Sequence, residues 1–215
     1  MLLQSLGNGF DPAWLLSWLI AVTVAITIHE FSHAKRADLA GDPTPRAMGR
    51  LTLNPLAHYD LIGTTLFLLA GFGWAKPVPV NPLAFRHPRR DALMVALWGP
   101  LSNFLTAAAF ALPVRLGVAG PYGRPLAVIV LANLLLGVFN LIPFGPLDGA
   151  HVLESSLSVR ANYRLHAFYE RHRVLLLIAA VLLLFVPPFS TVFLGIITWP
   201  AYTLAYLLLG PVPVL

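Results

Sequence analysis

The feature that most constrains this chain is its succession of apolar runs, broken by short loops rich in proline, glycine and arginine. Of its 215 residues, 58% are hydrophobic and 11% are charged, and the mean hydropathy is +0.76. Inside a bilayer every backbone N–H and C=O must find a partner within the protein, so such runs have to fold as helices. The expected class is therefore an all-α polytopic membrane protein, one domain spanning 1–215.

One of these runs, Ala13 to Ile28, is interrupted by five residues, His29-Glu30-Phe31-Ser32-His33. Residues four apart lie on one helical face, so His29 and His33 can offer nitrogens to one metal ion, while Glu30 can reach a water that the metal holds. This H-E-x-x-H order is the arrangement of zinc peptidases. A chance polar cluster is the alternative. The chain has only three glutamates, Glu30, Glu154 and Glu170, and one of them falls between two suitably spaced histidines at membrane depth. Ionisable groups there cost roughly 2.5–3.5 kcal/mol each, which argues for function.

The formal net charge is +5, but the arginines gather in loops between apolar runs, the pattern of positive-inside topology rather than of nucleic-acid binding. With no cysteine, a disulfide framework and a cysteine-ligated metal are both excluded. The first residues lack a basic region of the signal-peptide type, so the first helix is expected to stay in the mature protein.

Taken in order, the first span is expected over Trp14–Ala34, with Asp11 as cap, Pro12 in the first turn and Lys35 and Arg36 marking a cytoplasmic end. Arg50-Leu51-Thr52-Leu53 alternates in the manner of a short strand or hairpin. Leu61–Gly73 is apolar over only 13 residues and lies between two basic loops, which predicts a re-entrant or protein-packed segment. Ala92–Val114 and Leu126–Ile142 are spans. The first contains Gly99, Pro100 and Asn103, for which packing and functional roles stand equal, and the second contains Asn133 and Asn140. Glu154–Arg173 is polar and expected at the interface. Val174–Val186 is expected to span with flanking arginines snorkelling, and Thr191–Leu209 closes the set. The total is five to six transmembrane helices with a short strand or re-entrant segment after the first, a core of about 13–157 and a C-terminal helical hairpin of about 174–210.

A catalytic zinc needs a third protein ligand and an open position for water. The alternating spans bring Asp148, one of six aspartates, to the same side and depth as the histidine motif. Asp148 is the natural carboxylate ligand, and a helix N-cap is its other reading. His58 is either a hydrogen-bonded loop residue or a group approaching the site, and His151 either a solvent-facing residue or a competing ligand.

Beside the H-E-x-x-H turn, the stretch from Asn140 through Pro143 to Asp148-Gly149 matches N-x-x-P-x-x-x-x-D-G. Together they resemble the site-2 protease family of intramembrane zinc metalloproteases, in its compact prokaryotic form without PDZ or CBS domains. Gly49–His58, Gly73–Asn81 and Gly99-Pro-Leu-Ser-Asn103 are also similar, so the resemblance covers about Ile28 to Leu153. It departs at Ala150, where many relatives carry a second glycine, which touches only the local loop geometry. The resemblance implies cleavage of a membrane-embedded protein substrate that carries a transmembrane helix. One zinc per chain would be held by His29, His33 and Asp148, with Glu30 as base and Asn140 donating to the substrate backbone or oxyanion. It also implies a multi-pass protein of a bacterial inner membrane with its site toward the cytoplasm. The competing reading is an intramembrane metal transporter or sensor, which predicts carboxylates spread across several helices rather than gathered near one face. The strand-like residues Arg50, Leu51, Thr52 and Leu53 are further expected to guide an unwound substrate by strand addition.

Overall fold

The computed structural model describes residues 11–70 and 73–211. The first ten residues, and the last part of the Leu61–Gly73 stretch at 71–72, lie outside the described residues. Helix α1 runs from Pro12 to Ala40. Asp11 Oδ1 accepts from the Ala13 and Trp14 amides at 3.0 and 3.2 Å, and Pro12 occupies the first turn, where its missing N–H is not needed. The helix ends at Gly41, whose φ of 108° is open to a residue without a Cβ. It continues past the expected Ala34 because Ala37 and Ala40 are buried against Phe85 and Val95. Protein, rather than lipid, covers that last turn.

Short helix α2, Thr44–Ala47, and α3, Leu61–Ala70, precede α4, Pro88–Arg115. Next come α5, Gly123–Asn140, α6, Asp148–Ser156, α7, Val159–Phe185, and α8, Phe189–Leu209. Helices α1, α4 and α5 pack on one another, α6 lies on α4, and α8 covers α5, α4 and α7. Every residue of α5 from Ala127 to Leu134 is buried, as befits the central helix of a bundle. The inner faces of α1 (Ala21, Ala25, Ala37) and α4 (Gly99, Ser102, Ala107, Ala111) are lined by small side chains, which lets the backbones approach closely.

Among the described residues, four helices are long and apolar enough to cross a membrane: Pro12–Ala40, Pro88–Arg115, Gly120–Asn140 (with the preceding 3-10 turn) and Phe189–Leu209. This corrects the expected five to six. Helix α3 has ten residues, about 15 Å, half a hydrocarbon core. The backbone of Tyr59 before it bridges Ala75 after it, so the chain enters and leaves α3 on one side. The Tyr59 hydroxyl lies 2.5 Å from Thr23 Oγ1, about two turns of α1 deeper than His29. A packed, re-entrant segment fits both contacts.

The second correction concerns Val174–Val186. It forms the latter part of α7 beyond a break at His172, and α7 does not meet the requirements of a span. The direction of α8 explains why. Gly210 sits against the Arg115 guanidinium, and Leu209 joins the cluster of Ala111 and Ala127. Helix α8 therefore ends on the far side from the histidine motif and starts on the motif side, where α7 also begins. Fusion reporters after Gly41, Arg89 and Arg160 should read on one side, and those after Gly120 and Pro211 on the other. A motif-side signal at Pro211 would restore Val174–Val186 as a crossing.

The third correction is the strand. Arg50–Leu53 is a bend, and among the described residues there is no sheet, only the isolated Tyr59–Ala75 bridge. The Arg50 guanidinium turns inward and donates to the carbonyls of Pro77 and Lys76 at 2.7 and 2.5 Å. His58, fully buried, donates from Nε2 to Thr52 O at 2.8 Å. Side chains here take carbonyls that a strand ladder would use.

Candidate metal centre

Both histidines fall on the buried face of α1. His29 Nε2 and His33 Nε2 are 3.1 Å apart. Asp148 reaches them with one oxygen each, Oδ2 at 3.0 Å from His29 Nε2 and Oδ1 at 3.2 Å from His33 Nε2. All three donor atoms lie within 4.8 Å of one another; three protein donors are the set that a catalytic zinc takes, its fourth position being kept for water.

Asp148 is delivered from across the fold. It occupies the first turn of α6, where a carboxylate complements the helix dipole, but its side chain caps no backbone N–H. The N-cap reading is thereby answered: the carboxylate goes to the histidines. Gly149 must follow it, because a Cβ there would run into the carbonyls of Leu141 and Ile142. Ala150, the departure from the family pattern, is buried without disturbing this turn. At the other end of α6, Arg89 of α4 donates to the carbonyls of Ser155 and Ser156 at 2.8 and 2.9 Å and also to that of Leu157. This clamp, absent from the sequence reading, ties the aspartate-bearing helix to the helix behind the histidines.

The donor set fits a metal. His33 Nδ1 faces Val95 O at 2.8 Å. A carbonyl only accepts, so Nδ1 carries a proton, and Nε2 is the nitrogen that a neutral ring leaves free to bind a cation. Asp148 Oδ2 is buried and has no hydrogen bond of proper geometry, an orphan that a cation would satisfy. Burial by itself would raise the Asp148 pKa; the His29 and His33 contacts outweigh it and hold the carboxyl below the usual carboxylate range. Gly99 of α4 lies directly against both rings: a Cβ there would meet His33 Nε2, and would sit 2.8 Å from His29 Cε1.

Glu30 is half-buried. Its charge is felt at Arg50, where burial lowers the guanidinium pKa and the Glu30 carboxylate opposes that fall. Asn140 ends α5 with its amide donating to Leu136 O at 3.0 Å, a bond within its own helix. His58 belongs to the Arg50–Thr52 network rather than to the donor cluster. His151 is mostly exposed and faces Glu154 at 3.5 Å. The Asn103 side chain, which sequence alone left undecided, lies 2.7 Å from His29 Nδ1.

Comparison with known proteins bears on the family. The model of peptidase family M50 matches residues 115–186, the part that holds the Asn140–Gly149 motif. The candidate zinc metalloprotease YwhC of Bacillus subtilis (strain 168) is 38% identical over 156 residues, covering 67% of this chain and 71% of its own. Zinc metalloprotease MJ0392 of Methanocaldococcus jannaschii is 32% identical over 89 residues, 40% of this chain and 26% of its own. The candidate zinc metalloprotease Rip2 of Mycobacterium tuberculosis (strain H37Rv) is 28% identical over 194 residues, 86% of this chain and 71% of its own. No solved structure matches the chain with comparable significance. Zinc is the metal these relatives imply for the His29–His33–Asp148 cluster, and with the extent of the Bacillus match the chain belongs to peptidase family M50, the site-2 protease family.

Proposed function

We propose that this chain is an intramembrane zinc endopeptidase that cuts proteins embedded in the bilayer, acting from the cytoplasmic side of a bacterial inner membrane. The observation that carries the reading is the meeting of three buried or half-buried donors with Glu30 one residue from His29, at a depth lipid would otherwise occupy. His29 lies about 25 Å along α1 from Pro12, within a helix apolar enough to cross a membrane. A transporter would spread such groups along a path; here they gather at one level.

His29, His33 and Asp148 would hold the ion. Zinc supplies Lewis acidity and lowers the pKa of a water from 15.7 to about 7. Glu30 would be the base that takes a proton from the attacking water and returns it to the leaving amine, while Asn140 would donate to the substrate backbone or oxyanion once its intrahelical bond to Leu136 O is released. A helical substrate must unwind before its carbonyl can be attacked, and each unpaired backbone group costs several kcal/mol in lipid. The Arg50–Leu53 bend, whose Arg50 feels the Glu30 charge, remains the proposed guide, now by individual backbone groups rather than as a strand edge.

The experiment is a comparison of membrane proteomes from cells carrying wild type or Glu30→Gln. Fragments ending inside predicted transmembrane segments should appear with wild type only. If all new fragments end in soluble loops, the intramembrane part of the proposal fails.

A further inference from the structure

Two asparagines behind the histidine pair take no part in the chemistry described so far, yet both are fully buried. Asn133 Nδ2 donates to Ile129 O at 2.9 Å. Asn103 Nδ2 lies 2.9 Å from Ala25 O and 2.9 Å from Asn133 Oδ1. Asn103 Oδ1 lies 2.7 Å from His29 Nδ1.

The two ends of a side-chain amide are nearly alike in shape, so its orientation must be argued from its partners. Here the partners leave no freedom. Ile129 O and Ala25 O are carbonyls and can only accept. The Asn133 nitrogen must therefore face Ile129, which turns its oxygen to Asn103. The Asn103 nitrogen must serve that oxygen and Ala25 O, so only its own oxygen is left for His29. An amide oxygen cannot donate. His29 Nδ1 then carries the ring proton, and in the neutral ring Nε2 is a bare lone pair directed at Asp148. A flipped Asn103 would offer N–H to Nδ1 and move the proton to Nε2, where it would block metal binding.

We propose that Asn133 and Asn103 form a relay that fixes His29 as its Nδ1–H tautomer and sets it as a zinc donor, a role that rests on the metal reading above. These are positioning residues: Asn103 acts through His29, and Asn133 through Asn103. The two histidines are thus set by different devices. His33 leans on a main-chain carbonyl, Val95 O, which no substitution at that position removes. His29 depends on two side chains carried by α4 and α5.

The test uses the full chain, purified in detergent, stripped of metal and titrated with zinc against a chromophoric chelator. The melting temperature of each metal-free variant is measured alongside. Asn103→Leu removes the acceptor and should weaken zinc binding about 10- to 100-fold, the usual range for losing such an outer partner. Asn103→Asp keeps an acceptor for Nδ1–H but sets its second oxygen against Ala25 O and Asn133 Oδ1, so it should bind zinc more tightly than Asn103→Leu while lowering the metal-free melting temperature. Asn133→Leu touches neither histidine, but leaves the Asn103 amide oriented by Ala25 O alone, and should weaken binding by less than Asn103→Leu. A purely structural role would make zinc affinity follow the metal-free melting temperature across the variants and would give no rescue by aspartate. Wild-type affinity in Asn103→Leu, or an Asn103→Asp no better than Asn103→Leu, overturns the relay. If Asn103→Leu does not fold, wild-type affinity in Asn133→Leu overturns it. Wild-type protein that binds no zinc would overturn the metal reading and the relay together.

Discussion

Replacing Glu30 with Gln should leave zinc in the protein and remove its peptidase activity. Glutamine keeps the length and polarity of the side chain but cannot accept the water proton. Positioned acid–base groups contribute about 100- to 10,000-fold, and the loss should fall in that range on a membrane-embedded substrate. Zinc content should stay near one per chain, as a three-ligand catalytic site implies. His29→Ala and Asp148→Ala should instead lose both metal and activity, because each removes a donor from the buried cluster. Elemental analysis of the purified variants, run beside a cleavage assay, separates the two behaviours. Equal zinc loss in all three would remove the division between ligands and base.

Gly99→Ala should abolish zinc binding as fully as His33→Ala does, although it touches no donor atom by chemistry. In an ordinary exposed helix this change stabilises by about 1 kcal/mol. Here the added Cβ would overlap His33 Nε2 and come within 2.5 Å of His33 Cε1 and 2.8 Å of His29 Cε1. These are ring atoms of stiff, buried side chains on the neighbouring helix, and they cannot give way without rotating the donors apart. The metal-free variant should remain helical by circular dichroism. Retention of zinc would show that α1 and α4 separate readily, and that the tight approach seen at Gly99 is not needed to form the site.

The two predictions divide along the line between local and tertiary information. The spacing of His29 and His33 is a property of one helix, so four residues of sequence were enough to place both imidazoles on one face. The apolar runs dictated helices wherever lipid or protein had to be faced without water, and Asp11, Pro12 and Gly41 marked the ends of the first. Asp148 could be foreseen because alternating spans constrain which loops share a side. That its carboxylate turns to the histidines instead of capping its own helix came only from the contact across α1 and α6, 3.0 Å from His29.

What the sequence misjudged depended on partners far along the chain. Arg50–Leu53 alternates like a strand, but Arg50 found carbonyls 26 and 27 residues away, and a buried guanidinium with two acceptors outweighs a four-residue pattern. Val174–Val186 is apolar enough to suggest a crossing. Its side of the membrane was decided by α8, whose end meets Arg115, and no hydropathy value carries that contact. Asn103 is the clearest case. As one polar residue in an apolar helix it had to find a partner, and that much was legible. Which partner it found required three helices to come together, since the orientation of its amide is determined by Ala25 O, Asn133 and His29 at once. The chain's own order thus determined which residues could do the chemistry, while the packing of α1, α4 and α5 decided which nitrogen carries the proton.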